Sequence, residues 1–118
     1  MSLNAYRRAQ KIAATPRSTE YQLMSQITGA MITARDAGAT GSALAAELHH
    51  NRMAWSTFAN MCATKGNQLP DELRASIISL AIWVEKYTSD VMRNKGSIDD
   101  LIDVNRAIID GLANTNGG

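Results

Sequence analysis

The side chains able to do chemistry are few and scattered. His49 and His50 stand next to each other, and on a helix such neighbours point about 100° apart, so they cannot close on one metal ion. No His-Glu-x-x-His pattern, CxxC pair or His/Cys cluster accompanies them. The single cysteine, Cys62, falls on an apolar seam, where a thiol is inert packing rather than a nucleophile. Asp99, Asp100, Asp103 and Asp110 form no matched pair for acid–base work and read as cap and surface charge. Gly38-Ala-Thr-Gly41 suits a turn between helices, not a phosphate loop. The residues predict no catalytic site, no metal and no cofactor.

Two polar residues interrupt otherwise apolar stripes. Leu44, Leu48, Asn51, Trp55, Phe58 and Cys62 follow one another at steps of three and four, the spacing of a seam that packs at a shallow angle on neighbouring helices. Ile98, Leu101, Ile102, Asn105, Ile108, Ile109 and Leu112 make a second stripe, again with an asparagine in its middle. A buried amide without partners costs about 1–3 kcal/mol, so each asparagine must find some. Two readings stand side by side. In one, the amides bond to each other and fix helix register. In the other, they face a groove and hold the backbone of a docked peptide, with Arg52 and Arg106 at the stripe edges clamping a carboxylate.

Those stripes require long helices to carry them. Sustained strand alternation is absent and only Pro16 and Pro70 interrupt the chain, which predicts an all-α bundle of about five helices, three of them long. A short first helix spans about Asn4–Ala14, with Leu3, Tyr6 and Ala13 on one side and Arg7, Arg8 and Lys11 elsewhere; at that length it needs something to dock on. The second begins at Thr15–Pro16 and ends at Gly38, with a stripe of Leu23, Ile27, Ala30, Met31 and Ala34. The third runs from Thr40 or Ser42 to Lys65, stopped by Gly66. The fourth opens at Pro70, gains from Asp71 and Glu72 in its first turn, and ends near Lys95 before Gly96. The fifth is capped by Ser97 with Asp100 three residues on, and ends near Ala113; residues 114–118 form a flexible tail.

The fourth helix is apolar on more than one side. Leu73, Ile77, Leu80, Ala81, Val84 and Val91 make a core stripe, and Ala75, Ile78 and Ile82 a second one. Such a helix is either central in the domain or covered by another protein, and a central place is the expectation. Trp83 lies off both stripes, and Trp83 and Tyr87 are the exposed-aromatic candidates for a partner surface.

The 118 residues, 45% of them hydrophobic, suit one domain with a core of its own. One cysteine excludes an intrachain disulfide scaffold and fits a reducing compartment. No apolar run has the length of a membrane span or a signal peptide. Twelve bases against eleven acids argue against a dedicated nucleic-acid binder. The charge is polarised: Arg7, Arg8, Lys11 and Arg17 precede the first acid, Glu20, whereas the last part of the chain is acidic. The two ends could attract each other, meet separate partners or simply be solvated helix faces.

The chain resembles the flagellar biosynthesis regulator FlaF family of alphaproteobacteria. The resemblance rests on Tyr6 to Gln10, on Ser18-Thr-Glu-Tyr21 and on Asn51-Arg-Met-Ala-Trp55-Ser-Thr-Phe58. It continues through Leu69-Pro-Asp-Glu-Leu-Arg-Ala-Ser-Ile-Ile-Ser-Leu-Ala-Ile-Trp83 and Ile98-Asp-Asp-Leu-Ile-Asp-Val-Asn-Arg-Ala-Ile-Ile-Asp-Gly-Leu112. It spans nearly the whole chain in one order.

The resemblance implies a cytoplasmic factor that binds flagellin as a secretion chaperone and regulates its synthesis and export, with no enzymatic activity. The alternative is a post-transcriptional regulator acting on flagellin mRNA with or through the FlbT regulator. A third reading is an adaptor that docks into a larger assembly by the second stripe of the fourth helix. In the chaperone reading a terminal amphipathic helix of flagellin lies in a groove, held by apolar anchors at helical spacing. The candidate contacts are Asn51, Arg52, Trp55, Ile78, Ile82, Trp83, Asn105 and Arg106.

Overall fold

A computed structural model describes residues 16–63 and 70–117, with side chains from 20 to 63 and from 70 to 113. Four helices carry the described chain: α1 (Pro16–Asp36), α2 (Ala45–Ala63), α3 (Asp71–Met92) and α4 (Ile98–Gly117). A short 3₁₀ turn, Gly41–Leu44, leads into α2. The expected all-α fold is what forms. The short helix expected over Asn4–Ala14 lies outside the described residues, as do Lys65 and Gly66.

Consecutive helices are neighbours. The bundle is a ring in which α1 touches α2 and α4, and α3 touches the same two from the other side. The short connections make each neighbour antiparallel. Contacts at the helix ends agree with this: Arg35 at the end of α1 meets Asp99 at the start of α4, and Arg74 near the start of α3 bonds the Cys62 carbonyl at the end of α2.

The turns follow from local chemistry. Gly38 takes φ 86° while its N–H bonds Arg35 O and the Ala39 N–H bonds Ala34 O. This is a Schellman end, and glycine enters its left-handed position without a Cβ penalty. At the end of α3 the same motif forms around Asn94, at φ 58°, with the Lys95 N–H on Asp90 O. Helix α3 thus stops at Met92, three residues before the expected end at Lys95, because asparagine tolerates that conformation and supplies the cap. Ser97 Oγ accepts the Asp99 N–H and caps α4. The α4 backbone remains helical to Gly117, beyond the expected end at Ala113.

The core runs along the bundle axis. All six seam residues, Leu44 of the 3₁₀ turn and Leu48 to Cys62 of α2, are buried, as are Ile98, Leu101, Ile102, Asn105, Ile108 and Leu112 of α4. Helix α3 contributes Ile77, Val84, Thr88 and Val91. Helix α1 departs from expectation: it buries Met24, Thr28 and Met31, while Leu23 is 40% exposed and Ala30 faces solvent.

Candidate functional site

Three helices converge on a polar hub inside the core. Asn105 of α4 donates from Nδ2 to Asn51 Oδ1 at 2.8 Å and to Thr28 Oγ1 at 3.0 Å. Its Oδ1 accepts the Trp55 indole N–H at 2.7 Å. Thr28 in turn donates to Met24 O one turn back. Asn51, Trp55 and Asn105 are all at most 1% exposed. Their reading as partner contacts is therefore corrected: in this fold they are interior residues, and the two asparagines bond each other across the bundle. Asn51 Nδ2 is buried with no acceptor among the described residues, which makes Asn51 the weaker member of the pair.

Arg52, the next residue along α2, leaves the core and crosses to α3. Its Nη2 donates to the Glu85 carbonyl at 2.9 Å and to Ser89 Oγ at 3.1 Å. Its Nε sits 3.2 Å from the Glu85 carboxylate, although that N–H does not point along the contact and makes no hydrogen bond. Arg52 is thus a tie between helices before it is a clamp for any ligand.

Beside it lies a groove of about 320 Å³ between α2 and α3, lined among others by Arg52, Ser56, Asn60, Ile78, Ile82 and Lys86. Ile78 is 36% exposed and Ile82 58%. The expected central place for α3 fails on this side: Ala75, Ile78 and Ile82 all face outward. Trp83 does not join them. It is half-buried against the core and stacks on Tyr87 with centroids 4.7 Å apart and rings 13° from parallel.

Tyr87 closes the turn between α3 and α4. Its hydroxyl accepts the Ser97 N–H and donates to Asp100 in a short hydrogen bond. That bond to a carboxylate holds the hydroxyl proton and pushes the Tyr87 pKa up. A Cβ on Gly96 would come within 2.8 Å of the Tyr87 ring, so the glycine there serves close packing rather than helix termination. Arg106 is exposed on α4 and lies outside both lateral grooves.

The remaining reactive groups are quiet. Cys62 is fully buried, and desolvation pushes its thiol up to about 11. His49 and His50 are both exposed. Among the described residues no three His, Cys, Asp or Glu side chains gather to hold a metal, and no helix is long and apolar enough to cross a membrane.

With this geometry in place, the family model for the flagellar protein FlaF matches residues 2–112. The chain belongs to the FlaF family. No curated protein and no solved structure matches it significantly. Membership makes it a flagellar protein and covers the hub, both isoleucines and the tie at Arg52.

One surface escaped the sequence reading. Leu23 and Met53 are large, apolar and exposed in a second groove, between α1 and α2. Met53 lies off the seam that carries Asn51 and Trp55, and that offset was the available signal. Leu23 was hidden by its assignment to the core stripe of α1.

Proposed function

We propose that the chain binds flagellin in the bacterial cytoplasm as a secretion chaperone, with no reaction of its own, and through that binding regulates flagellin synthesis and export. The observation that carries this is the uncovered pair Ile78 and Ile82 on a helix whose other face is fully packed. Together with Arg52, Asn60, Glu85 and Lys86 they line a groove with an apolar floor and a polar rim, on which Arg52 is paired with Glu85 and Lys86 is the further base. An amphipathic helix fits such a groove, placing apolar anchors between the two isoleucines and its acidic side chains on the rim. The ends of flagellin are such helices, and they aggregate if left uncovered before assembly. Membership of a flagellar family supports this choice of partner.

Calorimetric titration with monomeric flagellin tests the reading. Saturable binding is expected, weakened about tenfold or more when Ile78 and Ile82 are both replaced by serine. The doubly substituted protein should stay folded, because both side chains already meet water. Absence of heat at tens of micromolar would refute direct chaperoning and direct attention to FlbT, the partner of the alternative reading.

A further inference from the structure

The outer surfaces of the four helices differ in charge. On α4 every exposed residue up to Ala113, apart from Ala107 and Ala113 themselves, is charged: Asp99, Asp100, Asp103, Arg106 and Asp110. Helix α3 exposes Asp71, Glu72, Glu85 and Lys86. The exposed residues of α1 between 20 and 34 are Gln22, Leu23, Gln26, Gly29, Ala30 and Thr33, none of them charged. Along α2 the exposed positions run from Ala45 through His49, Met53 and Ser56 to Ala63, and none is Asp, Glu, Lys or Arg. Solvated helix faces are rich in those four types, whereas the centres of protein interfaces are poor in them.

The same face carries the groove between α1 and α2, about 560 Å³ in volume and lined by Leu23 and Met53, which are 40% and 56% exposed. On its α1 side a Cβ at Gly29 would meet nothing within 4 Å among the described residues. No packing inside the chain calls for glycine there, and glycine weakens a helix interior relative to alanine; what it permits is close approach from outside.

The lack of charge also bears on the occupant. A partner chosen by charge finds little to pair with here. A second copy fits, because in a twofold interface each patch meets itself: a charged patch repels its image and an uncharged one does not. The exception on the groove lining is Glu47. With the axis near Met53, the two copies of Glu47 lie about 18 Å apart along α2, well beyond the screening length of about 8 Å. The face measures roughly 30 Å by 20 Å, about 600 Å² per copy, near the lower bound for a specific pair.

We propose that the α1–α2 face is the interface of a homodimer, in which a twofold axis passes near Met53 and each copy covers the other's groove with Leu23 and Met53. The inference is independent of flagellin binding, which uses the groove on the other flank of α2.

Sedimentation equilibrium of the full chain tests it, from about 5 to 500 μM, a range that brackets the micromolar dissociation expected of so small an interface. A reversible monomer–dimer equilibrium is expected, changing less than about twofold between 50 and 500 mM salt, since no charge pairs are broken. Met53→Asp should weaken it at least about tenfold by facing two carboxylates across the axis. Ala30→Glu, at another exposed position, should do the same, and circular dichroism on both variants should show an unchanged helix content. Ile82→Ser, in the other groove, should leave the dimer as it was. A chain that stays monomeric throughout the range would overturn the proposal. So would a dimer indifferent to both substitutions on the face, one lost with Ile82→Ser, or one that falls apart steeply with salt.

Discussion

Replacing Asn105 by alanine should destabilise the bundle more than truncating either Asn51 or Thr28, its two polar acceptors in the hub. The change removes the acceptor for Trp55 Nε1 and the donor to Asn51 Oδ1 and Thr28 Oγ1. Thr28 keeps its bond to Met24 O, so its hydroxyl is not orphaned. The Trp55 N–H and Asn51 Oδ1 are. Each of these two buried orphans costs about 1–3 kcal/mol, which sums to roughly 2–6 kcal/mol. A small domain has about 5–15 kcal/mol of stability, so the loss is a large share of the total. Asn51→Ala should cost only about 1–2 kcal/mol, because it strands a single Asn105 N–H and removes an amide whose own Nδ2 lacks an acceptor. Urea unfolding followed by far-ultraviolet circular dichroism reads both values, with an unchanged slope confirming comparable unfolding. A cycle with Trp55→Phe should give a coupling of about 1–2 kcal/mol with Asn105. If Asn105→Ala costs less than about 1 kcal/mol, or less than Asn51→Ala, the hub does not hold the bundle in the way its geometry requires.

Three further outcomes follow from the packing and the titrations. Ile77→Ala should cost about 2–5 kcal/mol, as Ile77 is fully buried, whereas Ile82→Ser should stay within about 0.5 kcal/mol in the same urea assay. Cys62, held near 11, has roughly 10⁻³ of its thiol ionised at pH 8 against about a quarter for an ordinary thiol; alkylation of the folded protein should be at least about 200-fold slower than in urea. Tyr87 and Cys62 both have raised folded values, so their contributions are complete below their unfolded values of about 8.5–10 and are lost as pH rises through the folded ones. Stability should therefore fall on the alkaline side, and Tyr87→Phe should make that fall shallower, as measured by urea midpoints at several pH values.

The two seams of α2 and α4 were readable because their apolar residues recur at steps of three and four and every one packs inward or against the core. Helix α1 was misread in part: Met31 is buried and Ile27 and Ala34 pack against the core as expected, whereas Leu23 and Ala30 face outward. Apolarity favours Leu23, Ile27 and Ala30, yet Thr28 is the residue buried at 4% exposure. Its hydroxyl is satisfied twice, by Met24 O and by Asn105, and that compensation exists only once α4 is in place. The asparagine pair was legible as a problem that needed a partner, and its internal solution is the one that forms. The end of α3 was misplaced because Gly96 looks like a helix stop, whereas it makes room for Tyr87.

Why Ile78 and Ile82 stay outside is a question about rotation. Helix α3 has two apolar stripes, and a turn of about 100° would exchange Ile77 for Ile78 in the core while turning Arg74 and Glu85 toward it in place of Leu73 and Val84. Two arginines oppose that rotation from either end. Arg52 of α2 bonds the Glu85 carbonyl and Ser89 on α3, and Arg74 of α3 bonds the Cys62 carbonyl on α2. The Glu85 and Ser89 bonds lie 11 and 15 residues along α3 from Arg74, roughly 16 and 22 Å, so they act as separate pins. Charge-assisted hydrogen bonds depend on direction, which apolar contact does not. The outward isoleucines are thus held outside by polar bonds that act in the same direction as the burial of Ile77 and Val84. Replacing Arg52 and Arg74 together by methionine keeps their apolar stems and removes both pins. The double variant should lose the distinction between the stripes, with Ile82 becoming protected in side-chain solvent-access measurements by nuclear magnetic resonance. An Ile82 that stays as exposed as before would show that packing at Ile77, Val84 and Val91 is sufficient to set the rotation of α3.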